Sequence, residues 1–563
     1  MNHAAVTHTS AGADRALTLA RRFTAWSSLL SLFACSDGAP SSKAPTTSDT
    51  EPADSGRSDS HPIDSATADS GAPDSPGPDS PGPTDTDSGD HDTAPVPPSE
   101  IIYLDGGDFW TFKMAGMKSL GESAAFLDDI WGDGLPEIVT SAFTEDGGMH
   151  TSIYIVDGAG VPALGEAVMI EDAARIELYG YEYSLFPYSM GDLDGDGMGD
   201  LMVSPRTIGE PAVLYWGSHL ASLEGKFMAD IEEPGDVYVY STFGSVSSGS
   251  ALAAGTGTFS EPSGIAVDVV MKLYSALAVF PAEELLTGDA LVLDGSGDAI
   301  VYTSLDSGGA GSAYRVGFPA PLGDLDGDGL NELVLYSTGT DFGTRGEIFY
   351  GDSLNFDAPT YVEDADVIIT PPPGITDIWN DFLVTTPLGD TTGDGIDDLI
   401  MSNWVLDTGG LDQVGTAFFW SGDRLTSPTS VDAVDGDVEF FATYPFAQVG
   451  ESAADIGDVD GDERADFLLH GAGWEGEYKE RPFVHLIRGS DLAGGGTYDV
   501  NHASVGFQSD YPVGGGSSGA YAGLRDLDGD GVNDLLIGDA DYVEETSTQV
   551  GRLWFLSGSL LSF

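Results

Sequence analysis

An acidic nonapeptide followed by an apolar run returns along this chain at a regular interval, and that repetition restricts the fold more than any other feature. The copies read DIWGDGLPE at 129–137, DLDGDGMGD at 192–200, DLDGDGLNE at 324–332, DTTGDGIDD at 390–398, DVDGDERAD at 458–466 and DLDGDGVND at 526–534. They run into IVTS, LMVS, LVLY, LIMS, FLLH and LLIG. The step from 192 to 324 is twice the others, which calls for a seventh, hidden copy near 255. There ALAAGTGTFSEPSGIAVDVV keeps the apolar strand and lacks the acids. A second motif supports the count: SIYIVDG at 152–158, AVLYWGS at 212–218, YSALAVF at 274–280, GEIFYGD at 346–352, TAFFWSG at 416–422, FVHLIRG at 483–489 and RLWFLSG at 552–558.

A period of about 66 residues means supersecondary units stacked or set in a ring. Each unit offers three or four short strands rich in Val, Ile, Leu, Tyr and Phe, with almost no helical periodicity. Seven four-stranded sheets around an axis predict an all-β chain, a seven-bladed β-propeller, which hides its edges by radial repetition. A linear β-solenoid is the alternative, for which the period is long. The chain ends just after the third strand of the last repeat. GDFWTFK at 107–113 precedes the first repeat and has no unit of its own, so it is expected to supply the missing fourth strand. The strand after the turn glycine, such as ARIELYG at 174–180, is expected to form the outer edge of its sheet.

The loop spacing suits a hard cation. Oxygen side chains at positions 1, 3, 5 and 9 can wrap one ion, the carbonyl of position 7 adds a ligand, and Gly at position 6 permits the sharp turn. An all-oxygen shell favours Ca²⁺ over Mg²⁺, which dehydrates reluctantly. About five sites are expected. The ligands are Asp192, Asp194, Asp196 and Asp200 with the Met198 carbonyl, then Asp324, Asp326, Asp328 and Glu332 with Leu330. Next come Asp390, Thr392, Asp394 and Asp398 with Ile396, then Asp458, Asp460, Asp462 and Asp466 with Arg464, where Glu463 replaces the turn Gly. The last set is Asp526, Asp528, Asp530 and Asp534 with Val532. Trp131 takes position 3 of the first copy, leaving Asp129, Asp133 and Glu137. An EF-hand is excluded, because no helices flank the loops and no Glu stands at position 12.

Val449-Gly-Glu-Ser-Ala-Ala-Asp-Ile-Gly-Asp-Val-Asp-Gly-Asp462, Phe243-Gly244 and LLIGDAD at 535–541 resemble the FG-GAP repeat of integrin α-subunit propellers and their bacterial relatives. The resemblance covers 101–563. It implies a seven-bladed propeller with calcium in the loops between first and second strands. The departures are the lost loop of repeat three and the scarcity of true GAP triplets.

The first hundred residues read differently. Arg15, Arg21 and Arg22 precede the apolar run Phe23 to Ala34, too short to span a bilayer and followed by the only cysteine, Cys35. Leu32-Phe33-Ala34-Cys35 resembles a bacterial lipobox, which implies cleavage before Cys35 and its lipidation, with 1–35 as signal peptide. The protein is then expected at the outer membrane or cell surface by a lipid anchor alone, or, alternatively, secreted. Residues 36–100, with Asp-Ser recurring among Pro and Gly, cannot bury enough apolar surface to order themselves and read as a disordered tether.

With 20 Lys+Arg against 93 Asp+Glu and a net charge of −73, nucleic acid is excluded as a partner, since both surfaces repel. A single cysteine excludes a disulfide framework and a cysteine zinc site. His150, His219, His470, His485 and His502 are spread over three repeats, and there is no HExxH. Gly515-Gly-Ser517-Ser-Gly519 matches GxSxG formally, but precedes a strand in a glycine run rather than a strand-to-helix turn. The expectation is a non-enzymatic binding or adhesion module for an extracellular protein or glycan. A polysaccharide-active lyase or hydrolase on the same scaffold is the alternative, disfavoured by scarce cations. A structural envelope component is a third reading. The loops opposite the acidic ones vary, and their aromatics Trp404, Trp474 and Tyr542 are candidates for stacking on a ligand.

Overall fold

The structure, a computed structural model, describes residues 100–561 apart from 105–109, 115–117, 145–149, 162–166, 182–184, 205–210, 224–226, 231–234, 242–244, 253–263, 271–274, 282–284, 287–289, 294–298, 303–319, 322, 327–329, 331, 340–342, 354–359, 362–363, 372–382, 408–409, 472–481, 510–520, 541 and 543–549. The expectations for 1–35, for Cys35, for the tether up to its last residue, for the acid-free loop near 255 and for Ser517 lie outside the described residues.

The described residues form seven five-stranded sheets. In the first, Lys118–Leu127, Glu137–Thr144, His150–Val156 and Ile176–Tyr181 pair antiparallel in chain order. The same meander recurs in every repeat. The acidic loop always joins the first strand to the second. The first strands contact one another in cyclic order: Lys118–Leu127, Phe186–Ser189, Ser245–Leu252, Ala320–Pro321, Leu383–Leu388, Ala453–Gly457, Tyr521–Arg525 and back to Lys118–Leu127. A closed ring of radiating sheets is the arrangement of a β-propeller.

Closure follows the expectation from 107–113. Trp110–Lys113 pairs antiparallel with Arg552–Leu556 as the fourth strand of the last sheet. Trp110 stacks on Phe555 at a centroid distance of 4.4 Å, and Phe112 is buried. Glu100–Tyr103 does a second job, pairing parallel with Val505–Gln508 of the sixth sheet.

That second pairing belongs to a pattern absent from the sequence reading. Every sheet ends on a fifth, parallel strand lent by the next repeat. Phe227–Asp230 lies on Ile176–Tyr181, Thr429–Asp432 on Val367–Thr370, and Gly496–Asp499 on Val438–Phe441. The stretch at 174–180 is therefore the fourth strand and not the edge.

Second and third strands such as LMVS, AVLY and TAFFW are buried along their whole length, because both faces of each sheet meet a neighbour. The cores accordingly lie between sheets. One unites Ile400, Phe419 and Phe440 with Phe467, Leu469 and Ile487; another unites Leu468 and Leu486 with Ile537, Trp554 and Leu556. Truncating one such Leu or Ile to Ala costs about 2–5 kcal/mol. Among the described residues, no helix is long and apolar enough to cross a membrane.

Candidate metal centres

The first residue of each acidic loop shapes the turn. Asp192 accepts the Gly195 and Gly197 N–H groups, both at 2.8 Å. Asp129, Asp390, Asp458 and Asp526 accept from the fourth and sixth loop residues in the same way. These donors sit at positive φ, +77° at Gly195 and +87° at Gly197, a region open to glycine at little cost. Glu463 holds φ 68° where the other loops have the second glycine.

The ninth residue is fully buried and braces the sheet. Asp200 accepts the Leu193 N–H at 2.7 Å and, with its other oxygen, the Gly217 N–H at 2.8 Å just past the third strand. The corresponding braces are Glu137–Gly158 at 3.0 Å, Asp398–Gly422 at 2.9 Å, Asp466–Gly489 at 3.0 Å and Asp534–Gly558 at 2.9 Å. The glycine is obligatory. A Cβ on Gly558 would stand 1.9 Å from the Asn533 carbonyl, and one on Gly158 or Gly422 would stand 2.2 Å from that of Pro136 or Asp397. The Gly after the third strand, present in six of the seven repeats, was visible in the sequence, but its partner was not.

Carboxylates from positions 1, 3 and 9 converge. Asp192, Asp194 and Asp200 bring one oxygen each within 4.8 Å of one another, as do Asp324, Asp326 and Glu332, Asp458, Asp460 and Asp466, and Asp526, Asp528 and Asp534. Position 5 is not part of these groups. Asp196, Asp394, Asp462 and Asp530 instead accept the N–H of position 7, from Met198, Ile396, Arg464 and Val532, at 2.9 to 3.0 Å. Asp328 lies outside the described residues. The fifth loop, with Thr392 at position 3, and the first, with Trp131, form no three-acid group among the described residues.

The loops offer unfilled oxygen valence. Glu332 Oε1, Thr392 Oγ1 and Asp460 Oδ1 are buried without a hydrogen-bond partner, and a carboxylate oxygen that accepts one N–H keeps a second lone pair. Burial pushes the ninth-position carboxyls up, with Glu137, Asp200, Asp398, Asp466 and Asp534 at about 7 and Glu332 at about 8. Backbone donors oppose the rise and neighbouring carboxylates add to it. A dication among them would reverse that balance. The donor set is hard, oxygen-only and anionic, which fits calcium.

The aromatic candidates separate. Trp404 is half-buried beyond the second strand of its sheet. Trp474 lies outside the described residues. Tyr542 is 1% exposed, edge-on to Trp554 at 5.8 Å with the Arg552 guanidinium 3.8 Å over its ring. It is a core residue and cannot stack on a ligand. The flanking polar loop hid this. His470 and His485 are buried and pushed down to about 3 and 4 by that burial. Since Leu469 faces His485 and His470 faces Val484 across paired strands, the two imidazoles point to opposite sides of the sheet and share no site.

No protein-family model matches the chain, and no curated protein does. Among solved structures it is similar to one described as the WD40 domain from Toxoplasma gondii coronin, at 10% identity and a TM-score of 0.40, over 81% of this chain and 88% of that one.

Proposed function

We propose that the chain is a seven-bladed, calcium-stabilised propeller of the FG-GAP type, exported and held at the cell surface by a lipid on Cys35. It works without catalysis, as a binding or adhesion module for an extracellular protein or glycan. The observation that carries the reading is the recurrence of one three-acid group, in one loop position, across four sheets of the ring. Positions 1, 3 and 9 of the second, fourth and seventh loops are the calcium ligands, with Thr392 standing in at position 3 of a weaker fifth site. Calcium supplies charge neutralisation there. At ten times Kd, one site adds about 1.4 kcal/mol of stability.

Binding falls to the opposite end of the sheets. Its connections between second and third strands run from the short 340–342 to the long 471–483, the variation of recognition loops on a rigid frame. The partner is neutral or basic there, given the acidity of the chain. The test is a glycan array and a cell-adhesion assay with the full-length protein, with and without chelator, beside a Trp404→Ala/Trp474→Ala variant that melts normally in calcium. Loss of binding in the variant supports the assignment; undiminished binding places the site elsewhere. In parallel, Cys35→Ser should abolish palmitate labelling and membrane retention.

A further inference from the structure

In three of the repeats the residue just before the brace glycine leans into the acidic loop. In the fifth and seventh loops it is a serine: Ser421 Oγ lies 3.5 Å from Asp394 and Ser557 Oγ 3.4 Å from Asp530. In the sixth it is Arg488. Its Nε stands 3.4 Å from the Asp460 carboxylate, and the two side chains are only 17% and 13% exposed. Another guanidinium nitrogen donates to the Leu561 carbonyl at 3.2 Å, tying the pair to the neighbouring sheet. Asp460 is the position-3 member of the sixth three-acid group.

The first loop reaches a similar state by another route. The residue before its brace glycine is Asp157, which is 1% exposed. Arg175, just ahead of the fourth strand, pairs with Asp157, and its guanidinium lies 4.7 Å from the centroid of Trp131, the position-3 residue. In the sixth loop the arginine meets the position-3 carboxylate itself; in the first it lies over the position-3 ring and pairs with Asp157, just outside the nonapeptide. A guanidinium stays charged at any physiological pH and repels a dication a few ångströms away.

We infer that arginine, not metal, neutralises the first and sixth acidic loops: Arg175 and Arg488 act as built-in cations, leaving calcium to the remaining loops. This rests on the calcium reading of the loops.

The test is calcium titration of the full-length protein by calorimetry, with melting in calcium and in chelator. Asp194→Asn should remove one site from the wild type, whereas Asp460→Asn should remove none. Arg488→Gln should gain one site. Trp131→Asp alone should gain none, and together with Arg175→Gln it should gain one. If Asp460→Asn removes a site, or if Trp131→Asp alone creates one, the inference is overturned while the calcium reading stands. The same holds if a folded Arg488→Gln protein titrates as wild type. No calcium bound by any form overturns both. Should Arg488→Gln fail to fold, the Asp460→Asn comparison decides by itself.

Discussion

The Arg525 guanidinium meets the Asp128 carboxylate at 2.8 Å across 397 residues of sequence. The pair joins the first strand of the last sheet to the end of the first strand of the first, so it marks the seam of the ring. Its side chains are 45% and 38% exposed, and an exposed pair contributes about 0.2–1 kcal/mol. The seam is held instead by Trp110 and Phe112 in the last sheet.

Arg525→Ala is therefore expected to move the melting temperature slightly. Deleting 100–113 should destabilise the whole ring, because it strips the fourth strand from one sheet and the fifth from another. Thermal unfolding followed by tryptophan fluorescence checks this. An unchanged transition after the deletion would contradict the closure described above.

The brace glycines make a sharp pair of substitutions. Gly558→Ala drives a Cβ into the Asn533 carbonyl and should cost about 1–3 kcal/mol or more. Gly494 has nothing within 4 Å of its Cβ position, so Gly494→Ala should stay within about 0.5 kcal/mol of wild type. Chemical denaturation of both variants measures the difference.

Glu463 carries a conformation that favours glycine. Glu463→Gly should relieve about 1 kcal/mol of left-handed backbone strain, part of which the added freedom of the unfolded chain offsets. A modest rise in melting temperature in chelator is expected. A fall would mean that the Glu463 side chain contributes more than its backbone costs.

Acidity and calcium should act against each other. Unfolded carboxyls titrate near 4, while the buried ninth-position acids in the metal-free fold titrate at about 7 and Glu332 at about 8. The folded form thus holds extra protons between these values. The stability they confer is complete below about 4 and is lost as pH rises through about 7. His470 and His485, depressed to about 3 and 4, oppose this below about 6.5, but the raised acids outnumber them. Metal-free protein should melt higher at about pH 5.5 than at about pH 8. Calcium needs the carboxylates ionised, so its stabilising increment should be largest at the higher pH. An increment that grows on acidification would refute this.

Much of this was legible because the acidic loop and the apolar second strand depend on side chains. Oxygens at fixed spacing, and a strand buried on both faces such as Asp534–Asp539, leave a repeating pattern. The fifth strands left none. Thr429–Asp432 and Gly496–Asp499 are exposed or half-buried polar segments held by backbone bonds to the previous sheet, and a backbone bond selects no residue type. Position 5 caps the N–H of position 7 with one oxygen, as positions 1 and 9 cap other N–H groups, and its remaining lone pairs stay open to a cation. Arg175 and Arg488 were invisible because each reaches its loop from a different strand.

The lent strands also govern how the molecule behaves in a crowd of its own kind. An open sheet edge is a template on which a second chain can grow. Here each outermost strand is short, two residues at Thr360–Tyr361 and three at Ala167–Met169, and it already belongs to the neighbouring repeat. A ring finished in this way offers little length for edge-on growth. High local concentration should then leave it monodisperse rather than drive it into fibres.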